Sequence, residues 1–453
     1  MSLFACIFYH IVSFIRDTLV LARTLFRFHR STALAASALL ASVALAPATV
    51  FADRGAEEWV TTWAASPQSA LEGLFEPAPE PMSFDEQTVR MIARVSLGGK
   101  MIRVRLDNRF GTVPLLVGEA GVALHAGGGN IVPGSARTLT FGGQTGIVVP
   151  VGAPALSDPV NLDVENLAEL AISLYLPGPT PAASVHALGH QTSYLTPPDW
   201  GSYIAAEAFP TMLTSESRYF LSGIEVRPTT EAKTIVTLGD SITDGFGSST
   251  DANARWPDVL AERLLAPTTS SNGGTSLPEK RSVANAGISG NRILNTVIGP
   301  NALSRFDRDV LAQPGVAFVT LLEGINDIGL SEFLPEQEVS ANQIIQGYRQ
   351  LIVRAHAHCV KVVGATLTPF EGSLYFTPEG EDKRQALNAF IRDSGEFDAI
   401  IDFDAAVRDP AQPKRLLSAY DVGDNLHPSD DGYRAMAEAI DLSVFEGTLE
   451  GCR

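Results

Sequence analysis

Cysteine is scarce in this chain, with three in 453 residues (Cys6, Cys359 and Cys452) and no CxxC pair. With no His-rich spacing either, nothing in the sequence points to a metal, and no cofactor is expected. Basic residues are outnumbered, 33 Lys and Arg against 51 Asp and Glu, for a formal charge of −18. Such an acidic surface excludes nucleic acid and anionic membrane as expected partners. No repeat of fixed period is present, which excludes solenoids and propellers. Long hydrophobic runs are missing too, with one exception. Thr32–Val50 carries no charge, follows Arg23, Arg27, His29 and Arg30, and ends at Val50-Phe51-Ala52 before the polar Asp53. Pro47 breaks it and no positive flank follows, so it reads as a cleaved export signal rather than a lasting membrane span. The expectation is a leader and signal over 1–52, no stable membrane insertion after its removal, and a secreted or periplasmic product. Met1–Leu25 is an unusual prelude to a signal peptide, so the true start is expected downstream. Cys6 would leave with the leader. Cys359 and Cys452 would then meet an oxidising compartment, where a bridge tethering the C-terminal helix and two free thiols are both open.

What remains is folded, globular composition, long enough for two cores. Residues 53–228 read as mostly β. Val89–Ser96 alternates apolar with polar or small residues, turns at Gly98-Gly99 and returns as Met101–Leu106, a hairpin pattern. Further strands are expected at Leu116–Leu124, Thr138–Phe141, Gly146–Val151, Val160–Val164, Leu170–Leu176 and Tyr219–Val226. Their spacing suits an all-β sandwich or jelly roll. Arg90, Arg94, Arg103 and Arg105 alternate along the hairpin as its solvated face, or as a face for sugars or anions.

Near Arg227-Pro228-Thr229-Thr230 the pattern changes, and 231–453 alternates strand with helix. Strands are expected at Ile235–Leu238, Ser282–Asn285, Val316–Leu321, Val360–Thr366 and Ala399–Phe403. Helices are expected near Trp256–Leu265, Ala302–Leu311, Gln343–Ala357, Lys383–Arg392 and Asp430–Phe445. That alternation implies a doubly wound parallel sheet with helices on both faces.

Four short motifs fall on the loops of this second half. In TIVTLGDSITDGFG (Thr234–Gly247) an apolar run breaks at Gly239-Asp240 and delivers Ser241 to the start of a helix. Ligands of open α/β sheets sit beyond the carboxyl ends of such strands, so Ser241 is either a nucleophile or an N-cap. Asn285–Asn291 (NAGISGN) supplies glycines that let the Gly290 N–H face a ligand, or make a plain turn. Gly324-Ile-Asn326-Asp327 would project an amide over the same edge, or form an Asx turn. Asp424-Asn-Leu-His427-Pro428 sets a carboxylate three residues from an imidazole. A nucleophilic serine needs such an imidazole as base, and the base needs a carboxylate to hold its tautomer. Of eight histidines, only His427 has a neighbouring carboxylate on a loop of the same half as Ser241; His125, His186 and His190 fall in the β-rich half.

Over about 231–445, these four ordered blocks (GDSI, SGN, GIND, DNLHP) resemble the SGNH (GDSL-type) hydrolase superfamily. The resemblance implies a flavodoxin-like, three-layer α/β/α domain that hydrolyses esters through an acyl-enzyme. By motif, it makes Ser241 the nucleophile, His427 the base and Asp424 its orienter, with Ser241 N–H, Gly290 N–H and the Asn326 amide forming the oxyanion hole. Ile242 stands where the family's common name has Leu, an apolar exchange. The GxSxG elbow of α/β-hydrolases is absent around Ser241.

The expected partner is a small-molecule or polysaccharide ester. Export and an appended sandwich resemble secreted esterases that remove small acyl groups such as acetyl from carbohydrate, and the GISGNRIL and EGINDIG stretches are similar to arylesterase/acylhydrolase relatives associated with xylan. A lipolytic esterase or thioesterase is the alternative; it would need an acyl channel, from Leu330–Leu334 and Phe370–Phe376. A silent carbohydrate-binding protein is the third reading. Trp200 and Tyr203 are the aromatics nearest to a sugar platform, or are structural.

Overall fold

The structure, a computed structural model, describes residues 58–70, 82–266 and 280–452. The leader with Cys6 and the loop at Pro267–Pro278 lie outside these residues.

In the β-rich half, two antiparallel sheets share one apolar core. The first orders strands Val60–Ala64, Leu221–Arg227, Gly99–Asp107 and Pro154–Leu156, with Val160–Val164 also paired to Gly99–Asp107. The second orders Leu213–Ser215, Ser193–Leu195, Gln87–Arg94, Glu169–Leu176, Glu119–Leu124 and Arg137–Leu139. Successive side chains of a strand point to opposite faces. Ile172 and Leu174 therefore enter the core with Val89, Met91, Ile102, Val104 and Ile224, while Ser173 between them points to the opposite face of the sheet, where it is also buried.

The expected hairpin does not form. Gln87–Arg94 and Gly99–Asp107 are consecutive in the chain but belong to different sheets. The corner at Gly98 is so tight that a Cβ there would lie 2.1 Å from the Val164 carbonyl. The arginines are accordingly not one solvated face. Arg90 is fully buried, donating to Ser173 Oγ and to the carbonyls of Gly129, Tyr203, Ile204 and Ala206. Arg103 and Arg105 both pair with the buried Glu225 of the neighbouring strand. A period of two says which residues share a face, and loops laid over that face decided that it is dry.

The second half is a parallel sheet in the order Lys280–Gly287, Ala232–Gly239, Val316–Leu322, Lys361–Ala365, Ala399–Ile401. This is the 2-1-3-4-5 arrangement of a doubly wound fold, whose switch point lies between the first and third strands in chain order. Helices Trp256–Leu265, Ala341–Ala357, Pro378–Asp393 and Asp430–Glu438 accompany it. Ala341–Ala357 begins at a Ser340/Gln343 capping box and buries Ile344, Tyr348, Leu351 and Ala355, one face at helical spacing. Some helices differ from expectation, Pro378–Asp393 beginning ahead of the expected Lys383. Ala302–Phe306 runs on as a π-turn, Asp307–Leu311, and the last helix stops at Glu438, with Phe445 reaching the core from a separate 3₁₀ turn.

The pairing changes from antiparallel to parallel between Arg227 and Ala232, yet Glu57–Arg453 packs as one compact unit. Ala64 of the β-rich half lies in the α/β core, and Ala232 lies in the sandwich core. Ser96 Oγ donates to the Val283 carbonyl at 3.0 Å and accepts from Val283 N–H at 2.9 Å, fastening the sandwich to the edge of the parallel sheet. Cys359 and Cys452 are joined in a disulfide. Among the described residues no helix is long and apolar enough to cross a membrane.

Candidate active site

Strand Ala232–Gly239 ends at Asp240, whose carboxylate caps the following turn by accepting from Ile242 N–H at 3.0 Å. That turn, Ser241–Asp244, is a single one, closed by Gly245 in the left-handed region at φ 105°. It is shorter than the helix expected there, and the Ile242, Thr243 and Asp244 N–H groups are all bonded to Asp240, so the turn offers the cleft the Ser241 N–H rather than a macrodipole. Asp240 takes the cap, which leaves the Ser241 hydroxyl available. Ser241 Oγ lies 2.8 Å from His427 Nε2, and His427 Nδ1 lies 2.6 Å from Asp424 Oδ2. The other oxygen, Asp424 Oδ1, accepts the backbone N–H groups of Leu426 and His427, each at 2.9 Å. Burial pushes the Asp424 carboxyl up, but the His427 ring and these N–H donors outweigh it and bring it down to about 2. The Phe246 ring lies 4.4 Å from the His427 ring.

Asn326 sits in the first turn after the third strand, at the switch point opposite Ser241. One amide N–H donates to the Asn291 carbonyl at 2.9 Å, and a side-chain amide carries a second. Gly290 lines the same cleft at φ 80°, and a Cβ there would lie 2.5 Å from Ile298 Cδ1. The loop after Asn291 is pinned by Asp327, which accepts from Ile293 N–H at 2.8 Å and Leu294 N–H at 3.1 Å. Thus Ser241, Gly290, Asn326 and His427 meet in one cleft of about 270 Å³, with Asp424 behind the imidazole. Among the described residues no three His, Cys, Asp or Glu are grouped to hold a metal.

Residues 237–435 match the model of the GDSL-like lipase/acylhydrolase family. The matched residues form a GDSL-like lipase/acylhydrolase domain. Solved structures resemble it as well. An acetylxylan esterase from Geobacillus stearothermophilus is 21% identical with a TM-score of 0.35, the match covering 48% of this chain and 96% of that one. An α/β hydrolase enzyme from the metagenome of Lake Arreo, Spain, is 20% identical with a TM-score of 0.35, over 46% of this chain and 94% of that one. Comparison with curated proteins gave no match.

The cleft around Ser241 also holds residues to which the four motifs assign no role. Asp244, Phe246, Ser289, Ile298 and Tyr375 line it, and so do Gln68, Ala187 and Leu188 from the β-rich half. Asp244 and Ser289 lie within two of those motifs, TIVTLGDSITDGFG and NAGISGN, and could have been found there. Gln68, Ala187 and Leu188 carry no sequence signal, because only the packing of the two halves brings them to Ser241. Of the two segments expected to form an acyl channel, Leu330 and Phe370 are buried anchors, whereas Tyr375 reaches the cleft.

Beneath the Ser241 cleft lies a buried charge cluster. Arg305 donates to the Gly239 carbonyl at 2.9 Å and stands 3.7 Å from Glu323. Burial, and then the neighbouring carboxylates, push Glu323 well above the usual range. Burial likewise raises Asp240 to about 7 and Asp327 to about 6.

Proposed function

We propose that this GDSL-type hydrolase is an exported serine esterase that removes small acyl groups such as acetyl from carbohydrate. The observation that carries the reading is the continuous line Ser241–His427–Asp424, at 2.8 and 2.6 Å. In it the imidazole can accept the serine proton while the carboxylate holds its Nδ1–H. Ser241 Oγ attacks the ester carbonyl and His427 Nε2 takes the proton. Ser241 N–H, Gly290 N–H and the free N–H of Asn326 stabilise the tetrahedral oxyanion. The alcohol leaves with the proton from His427, and water repeats the sequence on the acyl-enzyme to release the acid.

A cleft of about 270 Å³ suits a short acyl group and one sugar better than a long chain. Export is supported by the uncharged run Thr32–Val50, and the Cys359–Cys452 bridge fits an oxidising compartment. The deciding experiment measures acetate released from acetylated xylan, pectin and peptidoglycan side by side, with a p-nitrophenyl ester series from C2 to C12. Preference for acetate and release from one polysaccharide support the reading; activity rising toward C8 and beyond, with no acetate released, overturns it.

One observation favours the lipolytic reading. Leu374 and Phe333 are exposed, and the Phe333 ring lies 6.1 Å from that of the cleft residue Tyr375. An apolar approach of this kind suits an acyl tail, and the same ester series distinguishes the two.

A further inference from the structure

The segment Ala187-Leu188 on the cleft wall directly follows His186, which is 5% exposed where the two halves of the fold meet. Its ring bridges them. Nδ1 lies 3.1 Å from the Ser66 carbonyl oxygen, and Nε2 lies 3.0 Å from Asp244 Oδ1. Asp244 Oδ1 is an acceptor, so the ring donates to it from Nε2. Asp244 Oδ2 in turn accepts from Ser289 N–H at 2.9 Å and from the Ser289 hydroxyl at 2.7 Å. Burial pushes the Asp244 carboxyl up, yet His186 and the Ser289 hydrogen bond hold it below its ordinary value. Asp244 closes the one-turn helix that Ser241 opens, and Ser289 is the residue before Gly290.

A chain of hydrogen bonds therefore starts in the β-rich half at Ser66, passes through His186 and Asp244, and ends one peptide away from the Gly290 N–H. Gly290 is held in the left-handed region against Ile298, so the direction of its N–H depends on where the preceding peptide is fixed. Oxyanion donors act through preorganisation, and a misplacement of about 1 Å is enough to lower a rate by roughly 100-fold. A buried polar group in a fully satisfied network rigidifies what it touches. The sandwich has no other imidazole bonded to a residue of the cleft wall among the described residues.

We propose that His186 is a positioning residue that aims the Gly290 oxyanion donor through Asp244 and Ser289, making the β-rich half a working part of the hydrolase site. This rests on the esterase reading above, in which the Gly290 N–H receives the oxyanion.

The test compares His186→Gln with His186→Asn, using p-nitrophenyl acetate and a boronic-acid transition-state analogue. The Gln amide nitrogen reaches the place of the imidazole Nε2 and keeps a donor on Asp244. The Asn nitrogen stays near Nδ1 and serves only Ser66. The expected result is that H186N lowers kcat about 100-fold with little change in KM and weakens the analogue by the same factor, while H186Q stays within a few-fold of wild type. A role in packing alone would impair both variants alike, and that result overturns the proposal, as does a folded H186N with unchanged kcat. Should H186N fail to fold, Ser289→Ala decides. A fall in kcat matched by weaker analogue binding supports the proposal; unchanged values overturn it. Failure of the esterase reading has a different signature, wild-type protein with no turnover dependent on Ser241, and it removes both.

Discussion

Ser241 Oγ and His427 Nε2 come within 2.8 Å of each other from positions 186 residues apart in the chain. The first lies at the end of the first parallel strand and the second just before the last helix, so the whole doubly wound sheet is needed to join them. Ser241→Ala removes the oxygen that the proposed mechanism makes the nucleophile and leaves the other residues of the cleft in place. It is expected to lower kcat on a small acetyl ester by roughly 10⁴-fold or more with unchanged thermal stability. Wild-type turnover in that variant would falsify the mechanism.

Asp424 and His427 give a second prediction. Asp424→Asn keeps the shape but offers an amide where the Nδ1–H needs an acceptor, and a change of this kind in other triads lowers kcat by about 10⁴-fold. The stability effect has a definite sign. The folded carboxyl, at about 2, lies below its unfolded value, so its contribution is present above about pH 4 and is lost as pH falls through about 2. Melting curves of wild type and D424N are therefore expected to separate at pH 6 and to converge near pH 2.

Asn326→Ala tests the oxyanion site. Its free N–H would bond to an oxygen that carries full negative charge only in the transition state. The loss is expected in kcat, about 100- to 1000-fold, with KM nearly unchanged. A rise in KM at constant kcat would instead make Asn326 a ground-state binding residue.

The parallel sheet was legible because short apolar stretches alternate with helical ones, and a loop at a strand's carboxyl end has only one edge of the sheet to occupy. Chain order put Ser241, Gly290, Asn326 and His427 on loops of one half, and the family resemblance joined them into one site. The sandwich was legible as strands but not as pairings. Alternation in Val89–Ser96 and Met101–Leu106 is the same for a hairpin and for a corner between sheets, and the choice was made by Gly98 packing on Val164. Histidine 186 was set aside for lying in the other half of the sequence. Its partner Asp244 is 58 residues away and is reached only when the halves pack. Arg90 failed for a related reason. Its carbonyl partners sit on loops whose course no local pattern describes.

Asp240 predicts a pH dependence of the opposite sign. Burial raises its carboxyl to about 7, above the unfolded value, with Asp327, Arg305 and Glu323 as its charged neighbours. Between the two values the folded state binds the extra proton, so this group's contribution to stability is greatest below about pH 4 and declines as pH rises through about 7. Asp240→Asn keeps an oxygen for the Ile242 N–H and removes the charge. It is expected to raise the melting temperature at pH 8 more than at pH 5, and equal shifts at both would show that Asp240 is ionised throughout.

The Cys359–Cys452 bridge closes a loop with a sequence separation of 93 residues and fastens the end of the chain to the turn after helix Ala341–Ala357. Cross-linking a loop of that length restricts the unfolded chain by up to roughly 4–5 kcal/mol in the loop-entropy description, and natural bridges contribute about 2–5 kcal/mol. Neither cysteine lines the cleft around Ser241, so bridge and chemistry are separable. Cys359→Ser/Cys452→Ser is expected to lower the melting temperature by several degrees while kcat on a small ester at 25 °C stays at the wild-type value. Reductant is expected to reproduce the shift in the wild type and to leave the double variant unmoved. A reductant effect of equal size in the double variant would place the stabilisation elsewhere, since no third cysteine lies among the described residues.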